Sequence, residues 1–136
     1  MIFSQLGVEK ALPFGYTPAH QLRLDSYMAQ HPGDGSDRRD RQSVLVHLVS
    51  LCALLESKRR PERADYIRAL VVDHFPDPPH LTRSSGPGEL TVLYLLDAGD
   101  RSDYEKRARA WGQAVWESWA EQHSLIHDAL ATVIRR

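Results

Sequence analysis

Four side chains in this 136-residue chain combine types and positions that could do chemistry together: His20, Asp25, His47 and His123. His47 lies between Val44, Leu51 and Leu54 on an apolar helical stretch, and His123 shares a narrow helical sector with Trp116, Trp119, Ile126 and Leu130. Imidazoles and carboxylates turned into a core need partners there. Neutral imidazole with carboxylate suits zinc first, and iron, manganese or nickel next. Helical bundles build such sites from groups on separate helices. The expectation is therefore one divalent transition metal held by His20, Asp25, His47 and His123. Tyr27, Gln30, His31 and His127 would line the mouth or support the ligands from behind. Asp25 has a second possible role, accepting the free ring N–H of His47 and so orienting it.

Helix arithmetic sets the levels of these groups. If the turn over Gly33–Arg39 joins two antiparallel helices, His47 lies about 10 Å and Asp25 about 9 Å below it, with His20 about one turn deeper. His20 and His31 are about 16 Å apart along one helix and cannot share an ion unless the helix end unwinds. His127 follows His123 by one turn, but no glutamate follows His123 as the zinc-protease motif requires. His74 suits a helix C-terminus and His80 sits in a proline loop, so neither is assigned to the site. Cys52 is the lone cysteine, inside the apolar run Val44–Leu55, and reads as a small buried hydrophobe rather than a nucleophile. No phosphate-cradling glycine loop or nucleophile elbow is present.

The elements that must position these groups are helices. Residues 1–16 carry Gly7, Pro13 and Gly15 without a period and read as an irregular arm, followed by a helical bundle domain over 17–136. Thr17 and Pro18 suit the start of a first helix over 18–31, stopped by Pro32-Gly33. A second helix runs from an Asp40 cap through Leu55, and a third from Pro61 to His74 before Pro76, Pro78 and Pro79. Residues 75–90 form a surface loop or a lid. Thr91 caps a short helix to Ala98, and Gly99-Asp100 precedes one long helix over 102–134. Trp111, Trp116 and Trp119 read as core anchors. No stretch alternates like a half-buried strand, so the fold class is all-α, a bundle of four main helices plus a short one.

A formal net charge of -1, with both signs spread along the chain, gives no reason to expect nucleic acid or an anionic membrane as partner. The Val44–Leu55 run is too short to span a bilayer, and the N-terminus lacks the basic and apolar regions of a secretion signal. A cytoplasmic protein acting on a small molecule is the expectation, with the oligomeric state left open.

The segments His20-Gln21-Leu22-Arg23-Leu24-Asp25-Ser26-Tyr27-Met28-Ala29-Gln30-His31-Pro32-Gly33 and Gln42-Ser43-Val44-Leu45-Val46-His47-Leu48 resemble a bacterial family of small proteins classified only as a domain of unknown function. The likeness continues through Leu90-Thr91-Val92 and Trp116 to His123. It implies that His20, Asp25, Gln30, His31, Gln42, His47 and His123 occupy the family's recurrent polar positions, and it carries no established activity. Members often begin with a cysteine pair resembling a small zinc ribbon, which this chain lacks. Two functions from different classes follow: a metal-binding protein or metal-dependent enzyme, and a non-catalytic interaction module whose buried histidines fix helix register.

Overall fold

The computed structural model describes residues 19–83, 86 and 88–135, all helix, turn or loop with no strand among them. The expected arm, its Thr17 cap and Pro18 lie outside the described residues. Six helices are described: α1 (His20–Gln30), α2 (Arg38–Leu55), α3 (Pro61–His74), α4 (Val92–Leu96), α5 (Arg101–Ser118) and α6 (His123–Ile134), with a 3-10 turn at Ala120–Gln122 before the last.

The centre is α2. From Val44 to Leu55 every residue except His47 is buried, the pattern of a helix covered on all sides, and α1, α3, α5 and α6 all pack against it. It starts earlier than expected because Asp37, not Asp40, is the cap, its carboxylate accepting from Arg39 N at 2.7 Å. It ends with Lys58 in the left-handed region (φ 51) while Arg59 N reaches back to Ala53 O at 2.9 Å. α1 stops at His31 because Pro32 disfavours helical geometry in the residue before it. α3 keeps its expected limits, opened by Pro61 and closed before Pro76. Thr91 Oγ1 caps α4, accepting from Leu93 N at 3.2 Å.

The long C-terminal helix expected over 102–134 is two helices. Asp100 and Asp103 cap α5 reciprocally, Asp100 accepting from Asp103 N and Asp103 from Gly99 N. At the other end the buried indole of Trp119 donates to Ala29 O of α1 at 3.1 Å, tying the chain to that helix where it turns. At the break Val115 O accepts from Ser118 Oγ at 2.6 Å, and Trp116 O accepts from both the Trp119 backbone N–H at 3.0 Å and His123 Nε2 at 2.8 Å. Among the described residues the architecture is therefore five longer helices and one short one. All three tryptophans are buried core anchors.

The 75–90 segment is fastened where it is described. Leu81 is buried, Arg41 binds Pro78 O and Asp77, and Gln122 binds Thr82 O. Arg83 places its guanidinium over the Trp119 ring and donates to Ala29 O and Gln30 O, so a cation meets the negative end of α1. Gly35 has φ +81, and the His80 ring fills the space where a Cβ would sit, which packs His80 against the α1–α2 turn.

Candidate functional site: an acid–imidazole centre between two helices

Asp25 is fully buried (0% exposed) in the interface of α1 with α2. Its Oδ1 accepts from Gln21 Nε2 at 2.9 Å and from His47 Nδ1 at 2.8 Å, and its Oδ2 accepts from Ser50 Oγ. Ser50 in turn accepts from Arg68 NH1 of α3 at 3.0 Å, and Arg68 also pairs with Asp65 at 2.5 Å. Helix geometry makes this arrangement possible. Gln21 is one turn before Asp25, and His47 and Ser50 are three residues apart on one α2 face. A buried carboxylate is costly unless paired, and here donors from α1 and α2 fill it, with a guanidinium one hydroxyl away.

The arrangement fixes the chemistry of His47. An ionised carboxylate only accepts, so this bond assigns a proton to Nδ1, and in the neutral form of the ring the lone pair belongs to Nε2. Nε2 has no hydrogen-bond partner among the described residues, and the side chain keeps 14% of its surface exposed. A fixed imidazole with an accessible basic nitrogen can take a proton or coordinate a cation.

The other expected site residues lie elsewhere. Asp25 follows His20 by five residues, a rotation of about 140°, so Gln21 rather than His20 is its neighbour along the helix. His20 Nδ1 instead accepts from Arg23 at 2.8 Å, and Arg23 also reaches Tyr104 of α5 at 3.0 Å. His123 stacks on Trp116 with ring centres 3.8 Å apart and planes at 10°. His127 Nε2 lies 2.6 Å from Glu56 Oε1. Gln30 is a structural pin, donating to Leu90 O at 2.6 Å and accepting from Trp111 Nε1 at 3.1 Å. Gln42 donates to Val72 O and Phe75 O at the end of α3. Tyr27 and His31 pack ring to ring at 4.7 Å. Burial first, and then the charge of Arg83, holds the His31 ring below its ordinary pKa.

Among the described residues, the one group of three metal-capable donors that comes together is Cys52, Glu56 and His127, with ligand atoms all within 4.8 Å of one another. Ser50, Gln21 and Arg68 were not singled out from sequence, although spacing of three or four residues from His47 and Asp25 marked the first two.

Fold and centre together define an all-helical protein built around a central buried helix, with a fully buried acid locked to a partly exposed imidazole. The chain belongs to a family of unknown function (DUF5946), whose model matches residues 2–120. Asp25, His47, Cys52 and Glu56 fall inside the matched residues, and His123 and His127 fall beyond them. No curated protein and no solved structure matches the chain. No helix among the described residues is long and apolar enough to cross a membrane.

Proposed function

We propose that this protein is an enzyme-like helical bundle that transfers a proton to or from a small polar molecule at Nε2 of His47, with Asp25 as the positioning residue. One observation carries this reading: a fully buried carboxylate holds Nδ1 at 2.8 Å, while Nε2 has no partner among the described residues and the side chain keeps 14% of its surface exposed. A carboxylate behind an imidazole selects the tautomer, orients the ring and steadies it when it gains a second proton, the use such pairs have in general acid–base catalysis. As a metal ligand His47 would be joined by Asp25 alone, since no described group of three donors includes them. That favours proton transfer over the four-ligand metal centre expected from His20, Asp25, His47 and His123.

Nitrogen-15 NMR of the full-length protein with labelled histidine, combined with hydrolysis of ethyl dichloroacetate, an ester that imidazole cleaves as a general base, as a reactivity probe, tests this. His47 should show the Nδ1–H tautomer, and His47→Gln should remove most of the histidine-dependent hydrolysis. Asp25→Asn should leave the ring present but mix its tautomers and slow the probe reaction. A His47→Gln rate equal to that of the parent protein overturns the reading.

The second reading is an interaction module in which the same network only fixes helix register. It is favoured by the saturation of Asp25 by Gln21, His47 and Ser50. It requires Asp25→Asn and His47→Gln to change stability and leave the probe reaction untouched.

A further inference from the structure

On the side of α2 away from Asp25, Cys52 and Glu56 stand one turn apart, and His123 and His127 stand one turn apart on α6, which packs there. The Cys52 Sγ, a Glu56 carboxylate oxygen and a His127 ring nitrogen all lie within 4.8 Å of one another. Sγ is 4.0 Å and His127 Nε2 2.6 Å from the same oxygen, Oε1. The second oxygen, Oε2, accepts from Trp116 Nε1 at 2.7 Å, and the Trp116 ring is covered by His123.

We propose that Cys52, Glu56 and His127 form a site for one divalent transition metal, with zinc as the best fit. Thiolate sulfur, imidazole nitrogen and carboxylate oxygen are the three donor types of zinc sites. Bonds of about 2.0–2.3 Å in tetrahedral geometry put neighbouring donors about 3.3–3.8 Å apart. The present separations of 2.6 and 4.0 Å bracket that range, so the ion enters by parting Glu56 from His127 and drawing in Sγ. Trp116 holds Oε2 and thereby presents Oε1 as a single donor, the kind of outer contact that orients a metal ligand.

Burial then decides access. Cys52 is 1% exposed, whereas the side chains of Glu56 and His127 are 41% and 48% exposed, so the ion would sit between core and solvent with its fourth position open to water. Burial and the neighbouring charge of Glu56 push the Cys52 thiol up to about 12. A dication opposes both causes; on binding it releases the thiol proton to solvent, and His127, whose Nε2 now donates to Glu56, moves its proton to Nδ1 so that Nε2 can ligate. This site is independent of the His47 centre.

The test uses full-length protein made without a histidine tag, stripped with chelator and titrated with cobalt(II), followed by displacement with zinc. One equivalent should bind with a thiolate-to-cobalt charge-transfer band and the intense visible bands of four-coordinate cobalt, and zinc should bleach them. Cys52→Ser should abolish the charge-transfer band. His127→Gln, a change on an exposed side chain, should weaken binding by more than about tenfold. His47→Gln should change neither band nor affinity. Helical circular dichroism of each metal-free variant establishes folding, and His127→Gln carries the test alone should Cys52→Ser not fold. Absence of the charge-transfer band at saturating cobalt, its persistence in Cys52→Ser, or unchanged affinity in His127→Gln overturns the site.

Discussion

Two carboxylate–imidazole pairs flank α2, and they differ in which partner is locked. At Asp25–His47 the acid is fully buried and filled by three donors, so what remains available is the outer nitrogen of the ring. At Glu56–His127 both side chains are nearly half exposed, one bond joins them, and a buried thiol stands beside the bond. The azimuths explain the separation. Counting from His47, Ser50 lies about 60° to one side, whereas Cys52 and Glu56 lie about 140° and 180° away. One helix thus presents a rigid polar centre on one face and a cluster able to open around a cation on the other. Similar pairs of groups acquire different chemistry through burial: Glu56 also meets three donors, Trp116, His127 and the long Cys52 contact, but at a position open to solvent, whereas Asp25 is fully enclosed.

The sharpest way to break this comparison is to remove each negative charge without changing shape. Asp25→Asn puts an amide N–H₂ where His47 Nδ1–H or Ser50 O–H now points and leaves Arg68 facing a neutral centre. It should cost about 3–5 kcal/mol of unfolding free energy. Glu56→Gln keeps an acceptor for Trp116 Nε1 at a half-exposed position and should cost less than about 1 kcal/mol. Equilibrium urea unfolding at neutral pH of the metal-free proteins measures both. Equal costs would show that the two acids do not differ in the way their burial implies.

How much of this was legible in the sequence depended on whether an explicit signal marked each feature. α3 kept its limits because prolines mark both ends, and the dense apolar run of α2 could only be a covered helix. The break at Trp119 was not legible, since Ser118 to Gln122 contains no glycine or proline. It follows from tertiary contacts of Trp119 and His123. Level arithmetic located Asp25 beside His47 because both are counted from one short turn. It could not locate His20, where the azimuth and the pull of Arg23 decide. Cys52 was read alone and so as a hydrophobe. Its partner His127 comes from a helix 71 residues beyond Glu56, a proximity that only packing creates.

A smaller effect concerns the thiol in the core. Cys52 ionises ordinarily near 9.0 in the unfolded chain and near 12 when folded. Above about pH 9 the unfolded state therefore binds fewer protons than the folded one, and stability falls as pH rises between these values. The metal-free Cys52→Ser protein should show a flatter alkaline decline than the parent in urea unfolding at a series of pH values. Iodoacetamide should label Cys52 far more slowly in the folded than in the denatured protein at pH 8. Parallel alkaline slopes would mean that the thiol is not held in the environment that distinguishes this face of α2.

The smallest effect lies on the acid side and sharpens the contrast between the two carboxylates. Burial raises the Glu56 carboxyl, but hydrogen bonds from Trp116 and His127 and the charges of His127 and His123 outweigh it and hold the group below its ordinary 4.5. A carboxyl lowered by folding contributes stability that is fully present above its unfolded value and is lost as pH falls through the folded one. The loss should therefore begin near pH 4.5 and continue below it. Exposure of the pair to solvent keeps the contribution small. In the metal-free protein Glu56→Gln should remove this component, so its stability should converge on that of the parent as pH falls from 6 to 3. Carbon-13 NMR of the Glu56 carboxyl should show its midpoint below 4.5 and moving up in His127→Gln. A midpoint at or above 4.5, or one unmoved in His127→Gln, would mean that burial outweighs the Trp116 and His127 contacts and that Glu56 is not the loosely held partner that sets this face apart from Asp25.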